Sequence, residues 1–198
     1  MATPTRESVA ANYVLDAGAS RFQIKVFATG FLSAFGHSPT IEARGVSGEV
    51  RFDPRDPGSG WVRLSLDTAS LVVTNDIRDK DRKEIEETMR RDVLEPQRYP
   101  AIVFESSGVS VTTVAESSFR IEVAGRLSMH GTTRALTVPL FLIVTAGGLR
   151  AHGEFTVRMS EYQIPPVTAV GGGLKLKDEL KCSFDLAARQ TPGGPAAS

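Results

Sequence analysis

From Phe119 to Met129 the chain alternates without a slip. Phe119, Ile121, Val123, Gly125, Leu127 and Met129 are apolar or glycine, with Arg120, Glu122, Ala124, Arg126 and Ser128 between them. A period of two places successive side chains on opposite faces of an extended strand, so this stretch has one dry and one wet face. The pattern recurs. Phe22, Ile24 and Val26 alternate with Arg21, Gln23 and Lys25, and Val62, Leu64 and Leu66 with Arg63, Ser65 and Asp67. Leu149, Ala151, Phe155 and Val157 share a phase, as do Leu180, Cys182, Phe184 and Leu186. In "IEARGVSGEVRF" and "AIVFESSGVSV" the phase slips near Gly45 to Gly48 and near Gly108, which predicts a bulge or a bent strand there. "LTVPLFLIV" is apolar on both faces, and its Pro139 belongs at an edge or a bulge.

About eight one-sided strands joined by turn-rich links leave few solutions: a sandwich, or a sheet closed into a barrel. In either, the dry faces meet across one interior. One segment breaks the β pattern. In "DIRDKDRKEIEETMRRDVLEPQRYP", Ile85, Met89 and Val93 fall at i, i+4 and i+8, and Asp81 with Glu84 resembles a capping box. Pairs Glu86 with Arg90 and Glu87 with Arg91 support a helix over about 81–94, stopped by Pro96. One domain is expected over 12–188, with residues 1–11 and the tail 189–198, which contains "TPGGPAAS", disordered.

Composition removes several function classes. Lys+Arg and Asp+Glu number 23 each, so no basic surplus points to nucleic acid. Cys182 is the only cysteine, which excludes an internal disulfide and a cysteine-based zinc site. No stretch approaches the roughly 18–20 apolar residues that span a bilayer as a helix. "MATPTRESVAANYVLD" lacks the apolar core of a secretory signal, so a cytoplasmic location is expected.

The histidines are the obvious chemical candidates. His37 lies in "FGHSPT", a polar joint, but Ser38 beside it points away on an extended chain and makes no dyad by itself. His152 shares the wet phase of its strand with Arg150 and Glu154, and His130 follows Ser128 in the same even phase. Both are expected to point outward, so a three-histidine metal site is not expected. The carboxylates Asp76, Asp79, Asp81, Glu84, Glu86 and Glu87 are interleaved with Arg78, Lys80, Arg82 and Lys83, and read as a solvated face. "VGGGLKLKDEL" lacks the Lys-Ser/Thr of a phosphate-binding loop. What remains is the interior. Phe22, Phe52, Phe104, Phe119, Phe155 and Phe184 all take apolar phases, which serves a filled core and a hollow one equally.

The ordered set "YVLDAGASRFQIKVF", "FGHSP", "GVSGEVRFDP", "SLDTASLVVTNDIRDKDR", "LEPQRYPAIVFES", "VAGRLSMHGTTRALTVPL" and "KLKDELKCSFDLAA" resembles the YceI-like, lipocalin-like polyisoprenoid-binding family over about Tyr13 to Ala188. The resemblance implies an all-β fold: an extended eight-stranded antiparallel lipocalin-like barrel with the helix packed on it. It also implies an apolar tunnel holding an isoprenoid chain, of polyprenyl phosphate or quinone type, which the protein carries or sequesters. On that reading Phe22, Ile24, Val26, Phe52, Leu64, Leu66, Phe104, Phe119, Ile121, Val123, Leu127, Leu140, Phe155, Val157 and Phe184 line the tunnel. His37, Ser38 and Arg78, in joints without strand phase, would hold a head group at the rim. No catalytic residue, metal or cofactor beyond the lipid is implied. Many relatives are exported, whereas this N-terminus shows no leader. The alternatives are an enzyme acting inside the barrel with His37 as acid/base, and a haem-linked module with a histidine on iron. The edge expected at Pro139 leaves a homodimer open.

Overall fold

The computed structural model describes residues 10–29, 39–165, 168–169 and 174–191. Twelve strands form one antiparallel sheet. They are β1 (Ala11–Leu15), β2 (Arg21–Thr29), β3 (Thr40–Ala43), β4 (Val46–Phe52), β5 (Trp61–Asp67), β6 (Leu71–Val73), β7 (Ala101–Ala115), β8 (Ser118–Met129), β9 (Thr132–Thr145), β10 (Gly148–Arg158), β11 (Thr168–Ala169) and β12 (Leu174–Gln190). Eight of them close a ring in the order β1-β4-β5-β7-β8-β9-β10-β12, because β12 pairs back onto β1 at Leu15↔Ala188, Val14↔Arg189 and Tyr13↔Gln190. The expected eight-stranded barrel is therefore present. Ala11 opens β1 and Arg189 with Gln190 ends β12, so these three residues belong to the wall and not to disordered ends. Ala10 and Thr191 flank them, and residues 1–9 and 192–198 of the expected tails lie outside the described residues.

The remaining strands extend the wall at one end. β2 pairs with β12, β3 with β2, and β6 with β3, while the two-residue β11 pairs with β12. Three walls are thus single long strands broken at about the same level. Asp16 accepts from the Gly18 amide at the first break, and Asp67 accepts from the Ala69 amide at the third. The middle break falls at Arg44 and Gly45, where the sequence phase slips, and the Gly45 amide donates to Ser70 Oγ at 2.7 Å. Short turns of this kind let a twisted sheet turn a corner without losing its inward phase.

Parity survives from sequence to structure with little loss. Along β8, Phe119, Ile121, Val123, Leu127 and Met129 are buried, while Arg120, Glu122, Ala124 and Arg126 are exposed. The slip near Gly108 is a bulge: the β7–β8 register jumps between Ser106 and Gly108. Pro139 faces Glu122 of β8, and the β9–β10 ladder ends one residue later at Leu140↔Gly153. Its missing amide hydrogen therefore falls where no strand asks for one, which is the edge expected of it.

The helix α1 runs over Asp79–Thr88 and passes into a π-helical segment, Met89–Leu94. It starts earlier than the capping pattern indicates. Arg78 holds the cap position, and Asp81 pairs with Arg78 at 2.8 Å rather than capping the chain. Asp79 and Asp81 in the first turn favour the helix through its dipole. Glu86 pairs with Arg90 as expected, whereas Arg91 turns to Asp92 instead of Glu87. The other Glu86 oxygen accepts from the Val73 amide at 2.9 Å, which ties the helix to the edge strand β6. Met89 and Leu94 are buried beneath it, with Ile85 and Val93 packed alongside.

The β7–β8 pair tolerates bulk unevenly, at buried Gly125 and at exposed Gly108. A Cβ built on Gly125 would sit 2.4 Å from the Glu105 carbonyl oxygen and 2.6 Å from Phe104 Cζ, whereas one on Gly108 meets nothing within 4 Å. Gly125→Ala is therefore expected to destabilise by about 1–3 kcal/mol. Gly108→Ala should stay within about 0.5 kcal/mol of wild type. Denaturant unfolding checks both, and equal midpoints for the two variants would contradict the β7–β8 packing described.

Candidate functional site

The dry faces meet across a lumen that they do not fill. Two apolar chambers lie end to end. The larger, about 170 Å³, occupies the barrel. The smaller, about 100 Å³, lies beneath the helix, against Ile85, Met89, Val93 and Leu94. Ile24, Ile102, Met129 and Leu180 border both and form the partition between them. At the far end of the barrel Phe52 and Phe119 meet edge to face, centroids 5.5 Å apart, while Phe22, Phe155 and Phe184 cluster within 6.2–6.4 Å of one another.

Of the fifteen tunnel residues expected from the resemblance, all but Val26 and Phe119 border the larger chamber. Val26 borders the smaller one. Phe119 is buried against Phe52 and closes the end instead. Sequence reasoning left out inward residues of the same parity, such as Val50, Leu142 and Leu186, which the alternation itself would have supplied. It also left out Met159 and Ile164, which reach the smaller chamber from the segment after β10 and carry no strand phase. Arg78, expected at the rim, borders neither chamber; its side chain is 86% exposed and paired with Asp81. His37 and Ser38 lie outside the described residues.

The other two histidines part company. His152 is exposed on its strand's wet face beside Phe141, as expected. His130 is not outward. It adopts φ +50° in the two-residue turn between β8 and β9, with Gly131 at φ +72° after it. That left-handed pair turns the side chain, 13% exposed, onto the end of the helical segment. There Nε2 lies 3.3 Å from Glu95 Oε1 and the ring lies 4.3 Å from Tyr99. The Arg98 guanidinium, with His130 as a second partner, holds the Glu95 carboxyl below the usual carboxylate range. The parity rule ends where the strand ends, and the turn redirects the residue. Among the described residues no group of His, Cys, Asp or Glu could hold a metal ion.

The lumen wall is electrically quiet. Among the described residues that border the chambers, Cys182 is the one inward titratable side chain, and burial pushes its thiol up to about 12. A void of about 170 Å³ costs about 24 cal/mol per Å³, roughly 4 kcal/mol if left empty. Apolar cavities of about 150 Å³ stay dry and admit aromatic or aliphatic guests. The arrangement suits occupation by a hydrocarbon, and among the described residues it brings no acid/base pair together at the lumen wall.

A closed antiparallel barrel with a helix over one end and a divided apolar lumen is a lipocalin-like architecture. The chain belongs to the YceI-like domain family, whose model matches residues 13–188. It is 26% identical over 164 residues to a UPF0312 protein of Vibrio campbellii, covering 79% of each chain. It is 25% identical over 123 residues to Protein YceI of Escherichia coli O6:H1, covering 59% of each. Among solved structures it is similar to BcnA of Burkholderia cenocepacia, with a TM-score of 0.66 and 18% identity over 87% of this chain and 98% of that one. It is also similar to a polyisoprenoid binding domain from Saccharophagus degradans, with a TM-score of 0.63 and 16% identity over 92% of this chain and 100% of that one. At these identities the structures speak for the fold.

A thiol held near 12 is ionised to on the order of one part in 10⁴ at pH 8. Cys182 should therefore resist Ellman's reagent in the native protein at pH 8 and react fully after denaturation. Fast native labelling would show that solvent reaches the lumen wall.

Proposed function

We propose that this protein binds a long apolar lipid of isoprenoid type inside the barrel and carries or sequesters it without chemical change. The observation that carries the reading is the pair of abutting apolar chambers, which share four hydrophobic side chains among the described residues. The partition includes Met129, whose unbranched thioether adapts to different packings. A chain threaded past it would fill both voids. Burial contributes about 0.8 kcal/mol per CH₂-sized unit, so roughly ten units exceed the several kcal/mol spent on ordering. No polar contact is needed within the lumen, which matches its lining. The Saccharophagus degradans domain, described as polyisoprenoid binding, supports the choice of an isoprenoid over other lipids.

Native mass spectrometry and organic extraction of the freshly purified protein test the reading. A copurifying hydrophobic mass is expected, released into the organic phase as an isoprenoid. A clean apo mass with no shift on adding a polyprenol or a quinone would end it. Val123, mid-lumen and 4% exposed, allows a sharper check. Val123→Phe puts a ring into the larger chamber and should lower lipid occupancy while the melting midpoint stays within about 4 °C. Undiminished occupancy would place the lipid elsewhere.

A further inference from the structure

Two residues border the larger chamber from the wrong side. Arg51 and Trp61 are direct cross-strand partners on β4 and β5, and both take the outward phase of their strands, between inward Val50 with Phe52 and inward Val62. An outward residue can border a chamber through its backbone or at a place where the wall thins. The backbone pairing of the wall ends there, and the 3-10 turn Pro57–Ser59 packs against β7 beside it. The β5–β7 ladder runs from Asp67↔Ala101 to Arg63↔Glu105 and stops, while β7 continues to Ala115. The next tie is the Val62 amide donating to Ser106 Oγ at 2.9 Å, and the β7 bulge follows at once. Gly60, Trp61 and Val62 on one side and Val109 on the other border the chamber across this seam.

We propose that the seam is the mouth of the lipid site and that Arg51, flanked by Trp61, receives an anionic head group there, which selects a phosphorylated isoprenoid over a neutral one. The inference rests on the lipid-binding reading above. Among the described residues Arg51 is the one charged residue bordering the chamber. It is exposed and makes no ion pair with any described residue. Its neighbours do not compete for it. Glu49, on the same outward face, stands opposite Arg63, and Arg63 in turn pairs with Glu105 at 3.3 Å. Asn12 of β1, opposite Arg51, is neutral. Trp61 is 39% exposed, a large apolar surface that a solvated rim would otherwise avoid. An indole beside a guanidinium suits a ligand that changes from hydrocarbon to charge at this level. The phosphate would sit in two or more charge-assisted hydrogen bonds while the chain passes Val62 and Val109 into the lumen. The rim cation expected at Arg78 is spent on Asp81, whereas Arg51 has no ion pair with any described residue.

Calorimetric titration with geranylgeranyl phosphate and geranylgeraniol tests this. Wild type is expected to bind the phosphate about tenfold more tightly, and Arg51→Gln to erase the difference while leaving the alcohol's affinity unchanged. Arg63→Gln, which removes a nearby but already paired guanidinium, should preserve the preference. Trp61 is the only tryptophan, so its emission should report the phosphate's arrival directly. Equal phosphate affinities for wild type and Arg51→Gln, with both ligands bound, would overturn the mouth and leave the lumen reading standing. Binding of neither ligand by wild type would overturn both.

Discussion

Everything in this molecule depends on a three-residue ladder that closes the sheet. Tyr13, Val14 and Leu15 pair with Gln190, Arg189 and Ala188, close to the two ends of the described chain. The joint is reinforced on both sides: the Asp16 amide donates to the Ala187 carbonyl at 2.8 Å, the Thr191 amide donates to the Asn12 carbonyl at 2.9 Å, and Arg189 pairs with the Asp16 carboxylate. Without closure β1 and β12 would each expose an edge, and the dry faces would have no common interior. With it, parity alone directs every inward side chain to the same axis.

A ring of eight strands is just wide enough for side chains to fill it or for a slender ligand to enter. Which outcome follows depends on residue size at the inward positions. Here small residues stand among the large ones: Gly125 lies against Phe104, Ala151 and Ala188 border the lumen, and Gly153 lies 2.8 Å, by its absent Cβ, from Phe184 Cζ. These let the aromatic rings lean toward the wall and leave the middle open. The helix then seals the end that the broken strands leave wide, held by Glu86 on the β6 edge and by the contacts of Glu95, Tyr99 and His130. Two voids result, and hydrocarbon suits both.

Most of the strand content was legible in the chain because alternation is a local property. Phe119 to Met129 reads as one dry face and one wet face in the sequence and behaves so in the fold. The phase slips at Gly45 and Gly108 marked a real break and a real bulge. Legibility failed where a residue's direction is set by something other than strand parity. His130 left its phase at a left-handed turn, and the helix began at Arg78 and Asp79 because Asp81 was taken by a neighbour. Arg51 and Trp61, outward by parity, border the lumen close to where the β5–β7 ladder ends.

By itself, then, the amino-acid order determined which side chains are dry, roughly where each strand bends, and that one helix interrupts the series. These follow from backbone geometry over a few residues. Only the tertiary structure decided that β12 returns to β1, that the lumen is divided at Met129 and Leu180, and that the β5–β7 ladder stops at Arg63↔Glu105. Those outcomes turn on the register between strands far apart in the chain and on the volume left among their side chains. No local pattern encodes either quantity.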